Sequence, residues 1–319
     1  MRVHLVDGTF ELFRAHFSRR IASHRAAAGW EAKATVGLAM SLLGLLHDAS
    51  EAVTHVAVAF DNPIRSFRND LWPGYKSDEG VPPELRAQFD AAEEATRALG
   101  VIVWSMRDLE ADDALATGAR RFRGLAEQVR IVTPDKDLGQ CLEGRRVVMV
   151  DRVRRREIDE GALGVRRGIR PASVPDYLAL VGDDADGIPG LPGFGARTAA
   201  RLLAAHGHLE DIPADPARWP GAIRGAPQLA RTLDAGRDAA MLYRRLATLV
   251  TDAPLSESLD DLRWRGIPRA RFESWCAALD ARALLATLDA RNVRREDAEA
   301  ASASPGDRGA ELAAPARGR

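Results

Sequence analysis

Leu109-Glu110-Ala111-Asp112-Asp113-Ala114-Leu115-Ala116 sets three carboxylates within four residues, directly ahead of an apolar run. A helix beginning near Ala111 places these acids in or just before its first turn. Unpaired N–H groups and the helix dipole favour negative side chains there. For one acidic turn that capping role is explanation enough. The rest of the chain supplies company for these acids. Asp7, Asp61, Asp135 and Asp137 each follow an apolar β-like run, and Asp183 and Asp186 lie in a loop before a glycine-rich turn. If the runs form one parallel sheet, the acids converge on one edge.

The runs read as strands over Val3–Val6, Thr54–Phe60, Val101–Trp104, Val129–Thr133 and Val147–Val150. Helical patterns lie between them. One runs from Thr9 to about Phe17, with Phe10, Phe13 and Phe17 at helical spacing and expected in the core. Thr35–Leu46 carries Val36, Met40, Leu43 and Leu46 near one face, and Ala111 to about Phe122 is a third helix. Strands alternating with helices predict a right-handed, mainly parallel α/β sheet. Ligands bind such sheets outside the carboxyl ends of the strands, where Asp7, Asp61 and Asp135 fall.

Two further stretches stand out. Arg65, Arg68 and Lys76 flank Trp72-Pro73-Gly74-Tyr75, and Pro82-Pro83 opens a helix to about Leu99. Basic and aromatic residues interleaved in this way suit nucleic acid, by phosphate neutralisation and stacking; a solvated loop with a packed Trp is the alternative. Later, Gly190-Leu191-Pro192-Gly193-Phe194-Gly195 leads into a helix from Ala196. The glycines free the backbone to approach a ligand, and the new helix offers unpaired N–H groups to an anion. Arg152, Arg154, Arg155 and Arg156 form a basic knot expected to be a solvated turn. From Arg294 onward Ala, Ser, Gly, Pro and charge dominate, a composition expected to be disordered.

The 319 residues carry a net charge of −1, with 46% hydrophobic and 29% charged residues. Any basic surface must therefore be local. Cys141 and Cys276 have no metal-ligand neighbours in sequence and are expected to be free thiols of a reducing compartment. No apolar run approaches the ~18 residues of a membrane span, and Met1-Arg2 leads straight into a strand without a signal-peptide pattern. A cytoplasmic protein without a membrane partner is expected.

The motifs together resemble the 5′-nuclease family, the 5′→3′ exonuclease/flap endonuclease domain found at the amino end of bacterial DNA polymerase I and as free phage exonucleases. The matching stretches are Leu5–Gly8, Phe60-Asp61, Ser66–Arg68, Tyr75-Lys76, Glu110–Asp113, Asp135–Leu138 and Gly182–Ala199. The resemblance implies a PIN-like, mainly parallel sheet flanked by helices over residues 1–170, with a helical arch at about 72–100. It also implies a C-terminal helix-hairpin-helix DNA-binding module over 171–293, followed by the tail at 294–319. No polymerase domain is expected.

The resemblance implies two divalent ions, Mg²⁺ or Mn²⁺. Asp7, Asp61, Glu110 and Asp112 would hold one. Asp135, Asp137 and Asp186 would hold the other, with Asp113 and Asp183 in support. Crowded carboxylates repel one another unless cations neutralise them. An all-oxygen ligand set suits Mg²⁺ or Mn²⁺ rather than Zn²⁺. Lys76 and Arg14 would neutralise the scissile phosphate. Arg68, Tyr75, Gly190, Gly193, Gly195, Arg197 and Thr198 would contact DNA bearing a 5′ end or 5′ flap next to duplex, with K⁺ at the hairpin. Gly187, Glu79, Gly139 and Arg197 depart from the usual family pattern, but no expected ligand is missing. A non-catalytic DNA-binding member and a PIN-like ribonuclease are the rival readings.

Overall fold

The computed structural model describes residues 1–290; the tail expected at 294–319 lies outside the described residues. One sheet holds β1 (Arg2–Asp7), β2 (His55–Asp61), β3 (Ile102–Met106), β4 (Gln128–Val132), β5 (Val147–Asp151) and β6 (Arg156–Ile158), in the order β3-β2-β1-β4-β5-β6. The first five strands pair in parallel, Leu5 facing Ala57 on one side and Ile131 on the other. Only β6 is antiparallel, folding back on β5 through the arginine-rich turn.

A parallel sheet covered on both sides must be apolar on both faces. Val3, Leu5, Ala57, Val129, Ile131 and Met149 enter one core with the helix Ala111–Phe122 and much of the C-terminal half. Val6, Val56, Val58, Phe60, Val132 and Val148 enter the other, with the helices Lys33–Leu46 and Phe89–Ala98 and the late helix Arg269–Ala278. The topological switch lies between β1 and β4, so Asp7 and the segment after Val132 face one crevice.

Two expectations change. Phe17 is 63% exposed, beyond the last turn that packs, so it is not core. The arch is shorter than 72–100. Leu85, Phe89, Ala92, Ala95 and Leu99 form one helical stripe sunk in the second core, and Gln88 Oε1 accepts from Thr35 N and Oγ1, each at 3.1 Å. The mostly exposed loop from Pro73 to Glu84 touches that core only through Val81. Cys276 is buried and Cys141 partly so, both as free thiols.

Beyond β6, the helices Val174–Val181 and Ala196–His206 flank a glycine-rich connection, as the hairpin reading requires. Among the described residues no helix is long and apolar enough to cross a membrane.

Candidate metal centre

The crevice at the switch point gathers carboxylates from five segments. Asp7 ends β1 and caps the next helix, Oδ1 accepting from Phe10 N at 2.8 Å and Oδ2 from Thr133 Oγ1 at 3.0 Å. Asp61 ends β2, and its Oδ1 accepts from Ala111 N at 2.7 Å, the first amide of the acidic helix. Asp112 follows in that helix. Asp135 is shaped by the turn after β4, its amide donating to Thr133 Oγ1 and its Oδ1 accepting from Asp137 N at 2.9 Å. From the second half of the chain come Asp183 and Asp186, on a loop closed by paired hydrogen bonds between Asp183 and Ile188.

Electrostatics show how closely these groups sit. Burial, with Asp61 and Asp135 adding repulsion, pushes the Asp7 carboxyl up to about 7. Burial raises Asp112 well above the carboxylate range, reinforced by Asp135, Asp7 and Asp61. Burial also raises Asp61, Asp135 and Asp137, with Glu110 adding to the first and Asp186 to the other two. A cluster that takes up protons when left alone is one that a divalent cation can stabilise by displacing them.

The fit to a cation is most direct at Asp137, Asp183 and Asp186, whose ligand oxygens lie within 4.8 Å of one another. Asp137 Oδ1 is buried without a hydrogen-bond partner. Lys136 Nζ bonds Asp183 and lies 3.7 Å from Asp137 Oδ1, placing a positive charge against this trio. Burial would lower the Lys136 ammonium's pKa, but Asp137 and Asp183 raise it. The donors are all hard oxygens, the set that suits Mg²⁺, Mn²⁺ or Ca²⁺.

Asp113 parts company from the open cluster. It is fully buried, and both of its oxygens are taken by partners outside the cluster. Its Oδ2 accepts from Arg68 NH1 at 2.8 Å and from Glu110 N at 3.0 Å; its Oδ1 accepts from Arg68 NH2 at 2.7 Å and from Val250 N at 2.8 Å. With its oxygens so engaged, Asp113 is a structural residue rather than metal support. Glu110 accepts from Ser66 Oγ at 2.7 Å and from Tyr75 OH at 3.2 Å. Burial would raise its pKa, but Lys76 and Arg68 hold it below the usual range.

Lys76 sits among the acids. Its Nζ lies 2.9 Å from Glu110 Oε2 and 3.0 Å from Asp186 Oδ1. Burial alone would lower its pKa, but Glu110, Tyr75 and Asp186 raise it well above the ordinary value, so it stays a cation. Backbone stitching fixes it: Lys76 N donates to Asp186 O at 3.1 Å, and Trp72 Nε1 donates to Gly187 O at 3.1 Å. Trp72 also packs edge-on against Tyr243.

That stitching explains Gly187. Its φ is +69°, and a Cβ there would meet Gly74 O at 1.9 Å, a gap that no larger residue fits.

Other expectations are corrected. Arg68 has 0% exposure and bonds Asp113, Leu246 O and Thr248 O, so it cannot meet DNA. Tyr75 is 5% exposed and packed, offering no stacking face. Arg14 lies along the first helix, bonding Glu11 and, at 2.8 Å, Ser41 Oγ; among the described residues it bonds no acid of the cluster. Gly193, Gly195 and Arg197 are exposed and Thr198 is half-exposed, around the buried anchor Phe194. Gly190 is buried with φ +71° against Val181 and Gly182, so it shapes the turn rather than the surface. A Cβ at Gly195 would meet nothing within 4 Å, which leaves its backbone open to a ligand.

Sequence reasoning missed Thr133, Thr9 and Ser66, which orient Asp7, Asp61 and Glu110. Thr133 carried a signal, lying beside Asp135 in the same turn, and Ser66 lay in the matching stretch Ser66–Arg68; Thr9 carried none.

Residues 2–166 match the family described as 5′-3′ exonuclease, N-terminal resolvase-like domain, and residues 169–270 match 5′-3′ exonuclease, C-terminal SAM fold. DNA polymerase I of Mycobacterium bovis is 34% identical over 263 residues, covering 81% of this chain and 28% of that protein. DNA polymerase I of Bacillus subtilis is 30% identical over 269 residues, covering 83% and 30%. The chain thus spans less than a third of the length of these two relatives. Among solved structures, the bacteriophage T5 D15 protein co-crystallized with metal ions has a TM-score of 0.64 at 19% identity, covering 88% of this chain and all of that one. The catalytic core of Rad2 in complex with DNA substrate has a TM-score of 0.56 at 12% identity, covering 88% and 87%. At these identities the likeness is one of fold.

Proposed function

The chain belongs to the 5′-3′ exonuclease family, a family of metal-dependent nucleases, and from that premise we propose that it hydrolyses DNA phosphodiesters at a 5′ end or 5′ flap beside duplex. The observation that carries the proposal is the convergence of Asp7, Asp61, Asp112, Asp135, Asp137, Asp183 and Asp186 on one crevice, with Lys76 held among them. Asp7, Asp61, Glu110 and Asp112 form one side of the centre. Asp135, Asp137, Asp183 and Asp186 form the other, for Mg²⁺ or Mn²⁺. Bound there, two such ions supply a water nucleophile at neutral pH and neutralise the leaving oxygen.

The chain's own groups do the rest. Lys76 presents a permanent cation to the scissile phosphate, fixed by Glu110 and Asp186 so that little reorganisation is needed as charge develops. Thr133 and the Phe10 amide hold the Asp7 carboxylate in one orientation. Backbone at Gly193 and Gly195, with Arg197 and Thr198, receives a phosphate of the duplex, the site where K⁺ would also sit.

Cleavage of a 5′-labelled flap DNA, with Mg²⁺, Mn²⁺ or EDTA, tests this reading. Single-stranded RNA is the comparison substrate. Metal-dependent cutting of the flap supports it. Binding without cutting would favour a non-catalytic member, and preference for the RNA would favour a ribonuclease.

A further inference from the structure

The arginine-rich turn between β5 and β6 takes no part in the metal centre. It borders a cavity of about 750 Å³ on the side of the sheet away from the glycine hairpin. Val150, part of the second core, lies in its wall, whereas Leu191 and Phe194 of the hairpin belong to the first. The helices Gly8–Phe17 and Lys33–Leu46 supply Arg14, Met40 and Ser41, and the turn supplies Arg152, Arg155 and Arg156. Arg154 instead bends back onto Asp151, and Val153 is exposed.

The charges lining this space are unevenly spent. Arg130 is consumed by Glu51 at 2.8 Å and Glu157 at 2.6 Å. Asp151 is consumed by Arg154 and Arg156, each at 3.1 Å. Asp48 accepts from Ser50 N and Oγ. Arg14 is paired with Glu11, and Asp48 keeps its charge because Ser50 is neutral, so what remains is Asp48 against the two arginines without an acidic partner, Arg152 and Arg155. Arg152 finds only neutral Ser41, at Oγ 3.0 Å and O 3.2 Å. Arg155 has no hydrogen bond or ion pair among the described residues. The Nε atoms of Arg14 and Arg156 are buried without a partner. A guanidinium with idle donors matches phosphate oxygens in geometry and charge. The cavity is also near the chemistry: Arg14 lies seven residues after Asp7, about 10 Å along the helix.

We propose that this cavity is a phosphate-binding site separate from the metal centre. Its ligand is a phosphodiester of the bound nucleic acid or the phosphate monoester of a released nucleotide. The first source rests on the nuclease reading above; the second does not.

The test compares the full chain with its Arg152→Gln/Arg155→Gln variant. Neither residue belongs to the catalytic machinery. In the first arm, flap-DNA affinity is measured across a salt series in an Asp112→Asn background. Loss of two phosphate contacts flattens the log–log salt slope by about 2, while single-turnover cleavage at saturating DNA in the Asp112 protein is unchanged. In the second arm, dAMP and inorganic phosphate are titrated against thermal unfolding. Stabilisation of the parent but not the variant, with an unchanged DNA slope, assigns the site to a free phosphate monoester. A parent that neither binds nor cuts flap DNA defeats the nuclease reading and leaves the second arm to decide the cavity. Unchanged slope and no phosphate-dependent stabilisation overturn the site. The Arg152→Lys/Arg155→Lys variant, which keeps the charge, should retain most of the slope.

Discussion

Arg68→Met replaces a fully buried guanidinium with an apolar side chain of similar length. The guanidinium donates twice to Asp113, at 2.7 and 2.8 Å, and once each to Leu246 O at 2.8 Å and Thr248 O at 3.0 Å. It lies 3.3 Å from Glu110. The substitution leaves the Asp113 charge buried without a cation, keeping only its bonds from the Glu110 and Val250 amides. Breaking a buried pair by removing one partner costs about 3–5 kcal/mol. At an m-value of about 2 kcal/mol/M, the urea midpoint should fall by roughly 1.5–2.5 M. Arg68→Met/Asp113→Leu, which removes both charges, should recover part of that loss. The salt dependence of DNA binding, measured where the variant is folded, should not change. An unchanged urea midpoint, together with a salt slope flattened by about 1, would refute this account and make Arg68 a phosphate contact.

Lys76→Ala should lower the single-turnover rate by about 10²-fold or more while DNA affinity falls far less; a weaker Kd at an unchanged rate would make Lys76 only an anchor. Asp112→Asn and Asp135→Asn should each nearly abolish cleavage yet raise the melting temperature of the metal-free protein, because each removes an anion from a repelling cluster. Metal-free stability should fall as pH rises from about 4 to about 7. The folded Asp7 carboxyl titrates near 7 against 3.8 unfolded, so the native state holds the extra proton across that window. Thermal melts in EDTA at both ends of the window check this, and saturating Mg²⁺ should reverse the trend. Gly187→Ala, which forces a Cβ against Gly74 O, should raise the Mg²⁺ concentration needed for half-maximal cleavage.

The sheet was legible because its strands are uninterrupted apolar runs, and the acids because they end those runs. The helix from Ala111 was legible in full, and its acid at Asp113, three residues after Glu110, has the spacing of a reciprocal cap. That spacing already held the structural role of Asp113, which the wealth of neighbouring carboxylates obscured. The fate of Arg68 was not legible, since its partners lie 45 and 178 residues away. The stripe Leu85, Phe89, Ala92 and Leu99 was visible as helical, but nothing local told whether it would stand free or sink into a core. Three-residue β6 carries two charges and only one buried residue, too little pattern to announce a strand.

Trp72 and Lys76 are bonded to the loop that carries Asp186, and Arg68 to carbonyls near residue 247, so the centre is assembled from distant parts of the chain. During synthesis the six-stranded sheet and most of the acids emerge first, but the trio Asp137, Asp183 and Asp186 cannot close until the later loop is made and docked. A nascent or truncated chain that ends before Asp183 therefore carries Asp7, Asp61, Asp112, Asp135 and Asp137 without the two acids that complete the cluster.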